Sequence, residues 1–118
     1  MTTASRAIRP ITTNPAVSSV AGSITTLAAG GSAILVNASP TTFPRGFVGF
    51  LGRGDQNGIY EILIDGVSKY FDQTYTTHLV AQYLSDFVEY VGPGHNLQQK
   101  VTNNSSSSSN YYGTVIYL

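Results

Sequence analysis

The chain has 118 residues, six Lys and Arg balanced by six Asp and Glu, and only 10% charged residues. That length suits one domain. No apolar run approaches the roughly 18 residues of a membrane-spanning helix, and zero net charge argues against binding driven by nucleic-acid phosphates. There is no Cys, so disulfides, thiolate metal sites and a cysteine nucleophile are excluded. Neither a membrane nor a nucleic acid is expected as a partner. Short hydroxyl side chains replace the missing charge, with 13 Ser and 13 Thr beside 8 Tyr and 5 Phe. Such residues suit pleated sheet surfaces, and surfaces this poor in charge are commonly covered in assemblies.

Residues 1–21 read as an extended arm, holding Pro10, Pro15 and sparse apolar side chains. An arm without its own core becomes ordered by lying on another surface. Arg6 and Arg9 offer guanidinium forks to carboxylates, and Ile8, Ile11 and Val17 offer apolar contacts. The arm lacks the apolar stretch of roughly 7–15 residues that a secretory signal carries, which argues against Sec export of this chain.

From residue 22 onward, short β-like runs alternate with turn signals at the spacing of an all-β domain. The expected strands are 23–29, 32–38, 46–52, 59–65, 67–73, 96–103 and 111–118. Gly30-Gly31 is expected to close a hairpin between the first two, and Asp65-Gly66 to close another. Residues 77–91 carry apolar side chains at helical spacing, yet their Thr, Val, Phe and Tyr are poor helix formers. Two strands broken near Ser85-Asp86 are preferred over one helix. The Ser-rich 104–110 reads as an exposed hairpin loop. The expected fold is a two-sheet antiparallel β-sandwich over residues 22–118, with the jelly roll as one form of it. Its expected core is Leu27, Ile34, Val36, Phe47, Phe50, Ile62, Ile64, Phe71, Leu84, Val88, Val101, Val115 and Tyr117.

Signals for chemistry are few. His78 and His95 are isolated, with no HExxH or GxSxG pattern. The acids Asp55, Glu61, Asp65, Asp72, Asp86 and Glu89 have no spacing that pairs two of them for glycoside hydrolysis. No catalytic residue, metal site or cofactor is expected. Asp55, Gln56 and Asn57 supply oxygens for a cation but lack the calcium-loop pattern, so a plain turn is the simpler reading. Arg53-Gly54-Asp55 matches the integrin tripeptide, which is also ordinary turn chemistry. Asn103 and Asn104 begin overlapping glycosylation sequons. Arg53, Asp55, Tyr111 and Tyr112 are the expected loop contacts. Tyr75, Tyr83, Tyr90, Tyr111 and Tyr112 suit strand packing, a protein interface or a sugar platform.

The order of an arm, SITTLAAGGSAILVNASP, IYEILIDGVSKYF and LQQKVTNNSSSSSNYYGTVIYL resembles small β-sandwich proteins of tailed-phage virions. These are the head decoration (cement) proteins and related fibre modules. The resemblance implies a non-enzymatic virion component, bound to the capsid lattice at subunit junctions on the particle surface and forming a homo-oligomer such as a trimer. A carbohydrate-binding or adhesin module using surface tyrosines is the alternative.

Overall fold

The computed structural model describes residues 17–74, 78–84 and 88–118. It contains β1 (Ser18–Leu27), β2 (Ser32–Asn37), β3 (Arg45–Gly54), β4 (Gly58–Ile64) and β5 (Val67–Gln73). These are followed by β6 (Leu79–Tyr83), β7 (Glu89–Val91), β8 (Leu97–Asn103) and β9 (Ser109–Tyr117). One sheet has the order β1-β9-β3-β6, with β7 also paired to β3, and the other has the order β2-β8-β4-β5. Every pairing is antiparallel.

The pairings β1–β9, β2–β8 and β4–β5, with β3 against β6 and β7, describe one long double strand whose tip is the Asp65-Gly66 turn. Rolling it up adds β3–β9 and β4–β8. This winding is a jelly roll, in which the chain passes between two packed sheets at most connections. The tip is a true hairpin, with φ of 53° at Asp65 and 79° at Gly66, the positive pair that a type I′ turn requires.

Two expected hairpins are corrected. Gly30-Gly31 carries the chain from β1 in one sheet to β2 in the other, and the Ser-rich segment likewise joins β8 to β9 across the sandwich. The two crossings are stitched together: Gly30 N–H donates to Asn103 C=O, and Asn103 N–H donates to Gly31 C=O. Their strands are partners (β1 with β9, β2 with β8), so the two corners fall side by side.

Asn103 organises this end from a fully buried position. Its Nδ2 donates to the carbonyls of Leu27 and Ser107, each at 2.8 Å, while Oδ1 accepts from the Ser105 N–H and hydroxyl. Its buried, fully used amide is therefore not a glycan acceptor. Asn103→Ala would leave several of these backbone groups without partners, and we expect a loss of about 3 kcal/mol in urea unfolding.

Strand β1 begins at Ser18, so residues 18–21, assigned to the arm from sequence, pair with β9. The signal was concealed because the inward positions Val20, Gly22 and Ile24 include a glycine. Within the expected two-strand stretch, Leu79–Tyr83 forms β6 and Glu89–Val91 forms β7, and the expected break at Ser85-Asp86 lies outside the described residues.

Val36, Phe47, Phe50, Ile62, Val101 and Val115 are buried as expected, and Leu27, Ile64 and Leu84 pack against them. Val88 and Tyr117 are half-buried. Ile34 and Phe71 are corrected: they are 46% and 65% exposed. A bulge between Ile34 and Val36 turns both Leu35 and Val36 inward, leaving Ile34 outward beside Lys100. Phe71 lies opposite Glu61, outward, while Tyr70 points inward to a tilted contact with Phe47.

Across the inner face of the first sheet, Gly22, Gly113 and Gly52 lie in one row. A Cβ there would collide with the Leu35 carbonyl at Gly22, the Gln99 amide at Gly113 and the Tyr60 ring at Gly52. The missing side chains thus let the second sheet come close. Gln99, fully buried, donates from Nε2 to Leu51 C=O at 2.9 Å.

Candidate functional site

The expected contact residues separate into three groups. Arg6, Ile8, Arg9 and Ile11 lie outside the described residues, and Val17 stands exposed at the entrance to β1. Arg53 and Tyr112 come together: they are register partners on β3 and β9, with the guanidinium 4.7 Å from the ring centroid. Asp55 is exposed just past β3, and its N–H donates to Asn110 C=O. Arg53-Gly54-Asp55 therefore straddles a strand end rather than the tip of a projecting loop.

Tyr111 is corrected, because it is a core residue and not a loop contact. The alternation of β9 turns it inward opposite Ile24 and Gly54, and Gly54 and Gly58 leave space for its ring. It meets Tyr60 edge-on at 6.2 Å, its hydroxyl donates to Asn57 C=O at 2.6 Å, and burial pushes its pKa up. Of the three side chains weighed for a cation, Asn57 is engaged within the fold, its Oδ1 accepting from the Thr74 hydroxyl. Among the described residues, no three His, Asp or Glu side chains converge to hold a metal.

The remaining acids are dispersed. Glu61 faces outward on the second sheet, while Glu89 accepts from the Tyr70 hydroxyl between the sheets. Burial and that hydrogen bond push the Tyr70 pKa up to about 12. Asp65 accepts from Asn96 N–H and lies 2.7 Å from His95 Nδ1, and those contacts hold its carboxyl below the usual carboxylate range.

What the fold assembles is a surface. Phe50, Val80 and Val115 point into the core, so their strand neighbours point out. The outward rows of the first sheet run Ser23–Tyr112–Arg53–Leu79, Ala21–Thr114–Leu51–Ala81 and Ser19–Ile116–Gly49–Tyr83. Arg53 is the one charged side chain among them. Leu79, Tyr83 and nearby Tyr90 are more than half exposed, and the Tyr83 and Tyr90 rings lie against Gly49 and Gly46. A shallow depression of about 210 Å³ crosses this face between Leu51, Arg53, Leu79 and Tyr112. The second sheet differs, since its outward row Ile34–Lys100–Glu61–Phe71 carries both signs of charge.

A groove of about 390 Å³ opens at the end of the sandwich where β1 begins. Its walls include Phe43, Pro44, Arg45, Tyr117 and Leu118. The Arg45 guanidinium stacks over the Tyr117 ring at 4.1 Å, and Phe43 is 76% exposed. Sequence reasoning missed both this groove and the outward row through Leu51. The available signal was the alternation of small and apolar residues in β3, where only Arg45 and Arg53 are charged.

No family model and no curated protein sequence matches the chain. Its fold has a counterpart. The chain is similar to one in the solved structure of the cyanophage Pam1 capsid asymmetric unit, with a TM-score of 0.56. The match covers 86% of this chain and 83% of the other at 15% sequence identity. Likeness at that level concerns the fold, and both chains share the two-sheet architecture derived above.

Proposed function

We propose that the chain is a non-enzymatic structural protein of a phage virion, most specifically a decoration or cement protein on the head surface. In this reading, it binds the capsid lattice through the outer face of the β1-β9-β3-β6 sheet. The carrying observation is that face, with Leu79, Tyr83, Tyr90 and Tyr112 exposed around a single charge. Aromatic side chains and Arg are enriched at protein interfaces, and acids and Lys are depleted. The fold likeness to a chain of a cyanophage capsid supports the same reading. Many weak contacts on a lattice add up to firm attachment through multivalency. The chain acts as a homo-oligomer, a trimer in the simplest case, with residues 1–16 lying on a neighbouring subunit.

The test is co-sedimentation of purified chain with undecorated heads of the virus that encodes it. Saturable binding at a fixed ratio to capsid subunits is expected, with attachment lost on deletion of residues 1–16 while the sandwich stays folded. Failure of the full chain to sediment with heads would refute the reading. The carbohydrate alternative draws on Tyr83 and Tyr90, whose rings lie against glycines and leave an apolar face open. Binding on a glycan array that disappears in Tyr83→Ala would favour it.

A further inference from the structure

We infer that the groove beside Arg45 is a docking site for an extended, carboxylate-bearing segment of a partner protein. The inference rests on the reading that the chain works by binding proteins, but it concerns a different surface from the sheet face. Three observations carry it. Phe43, Pro44, Tyr117 and Leu118 give the groove of about 390 Å³ apolar walls, a size within the roughly 300–1,000 Å³ of ligand sites. Phe43 stands 76% exposed at its rim, a large ring that nothing in the described chain covers. Arg45 is held in place by stacking on Tyr117 rather than by an acid, because the one ion pair among the described residues joins His95 to Asp65. Among the described residues no acceptor meets its Nη1, and the ring of Tyr117 fixes the plane of the guanidinium.

A fixed guanidinium beside apolar walls recognises a carboxylate flanked by apolar side chains. The chain's own leading segment is the wrong complement. Residues 1–16 contain no Asp or Glu and add Arg6 and Arg9, so they would bring more positive charge to Arg45. The occupant is therefore a foreign segment. Stacked Arg and exposed aromatic anchors are also the side chains that dominate binding energy at protein interfaces.

The experiment pans a displayed library of random peptides on the immobilised full-length chain. The strongest peptide is then measured by fluorescence anisotropy. Enrichment of Asp or Glu next to Leu, Ile, Phe or Tyr is expected. Affinity should fall about tenfold or more in Arg45→Met and clearly in Phe43→Ser, with Lys100→Met, on the outward face of the second sheet, unchanged. Phe43→Ser alters an exposed loop side chain, so it decides the matter even if Arg45→Met does not fold. Absence of an acidic motif, or equal binding by wild type and Phe43→Ser, would overturn the inference. Peptide binding without attachment to heads would keep the groove and remove the virion reading, whereas attachment without an acidic motif would do the reverse.

Discussion

Gly22→Val is expected to cost about 4 kcal/mol, enough to lower the melting temperature by about 15 °C or to prevent folding altogether. Domains of this size have only about 5–15 kcal/mol to lose. The reason lies in what the new Cβ meets. At Gly22 it would run into the Leu35 carbonyl, a backbone group held within β2, so a rotamer change offers no relief. At Gly113 the nearest atom is the end of the Gln99 side chain, which can shift, so Gly113→Ala should be milder. Ala21→Val is the control: the adjacent residue on the same strand points outward, and a change of under about 0.5 kcal/mol is expected. Thermal and urea melts of the three variants check the set. Equal effects at positions 21 and 22 would show that close approach of the sheets does not govern stability here.

Ala81→Asp is expected to abolish attachment to heads while leaving the fold intact. Ala81 is exposed on β6, opposite Leu51 in the middle row of the uncharged face. In the free chain the new carboxylate remains in water, and exposed substitutions change stability by under about 0.5 kcal/mol. In an interface it would be buried without a partner, at about 2–5 kcal/mol, which weakens each contact roughly 30- to 4,000-fold. Thr102→Asp places the same charge on the outward face of the second sheet, near Lys100, and should leave attachment unchanged. Co-sedimentation of both variants, with melts as the folding control, checks this. Equal loss in the two, or none in Ala81→Asp, would remove the sheet face from the proposal.

The strands were legible because their boundaries are local. Gly30, Asp65-Gly66 and the Gly-rich stretches around 54–58 and 92–94 stop the chain whatever it pairs with. Pairing was not legible. Strand β1 finds β9 some ninety residues away, so the sequence near Gly30-Gly31 looks like a hairpin although the strands it joins belong to different sheets. Strict alternation also failed wherever a bulge intervened, which is how Ile34 was placed inside and Leu35 overlooked. Tyr111 and Tyr112, both expected as loop contacts, lie within β9, where Tyr112 is exposed and Tyr111 is buried. Adjacent tyrosines on one strand face opposite sides, and only register decides which is buried. Glycine concealed the most, since Gly22, Gly52 and Gly113 read as breaks in a pattern yet lie where the sheets meet most closely.

The partnership of β1 with β9 has a consequence for biosynthesis. Ser18 pairs with Tyr117, and β9 is the strand that lies between β1 and β3. A growing polypeptide therefore has no central strand for that sheet until nearly all of this sequence has left the ribosome. Folding of this sheet therefore waits for β9, belongs to the slow class of topologies dominated by distant contacts, and leaves β1 and β3 as bare edges in any product cut short before β9. Such fragments should aggregate rather than accumulate as partly folded monomers.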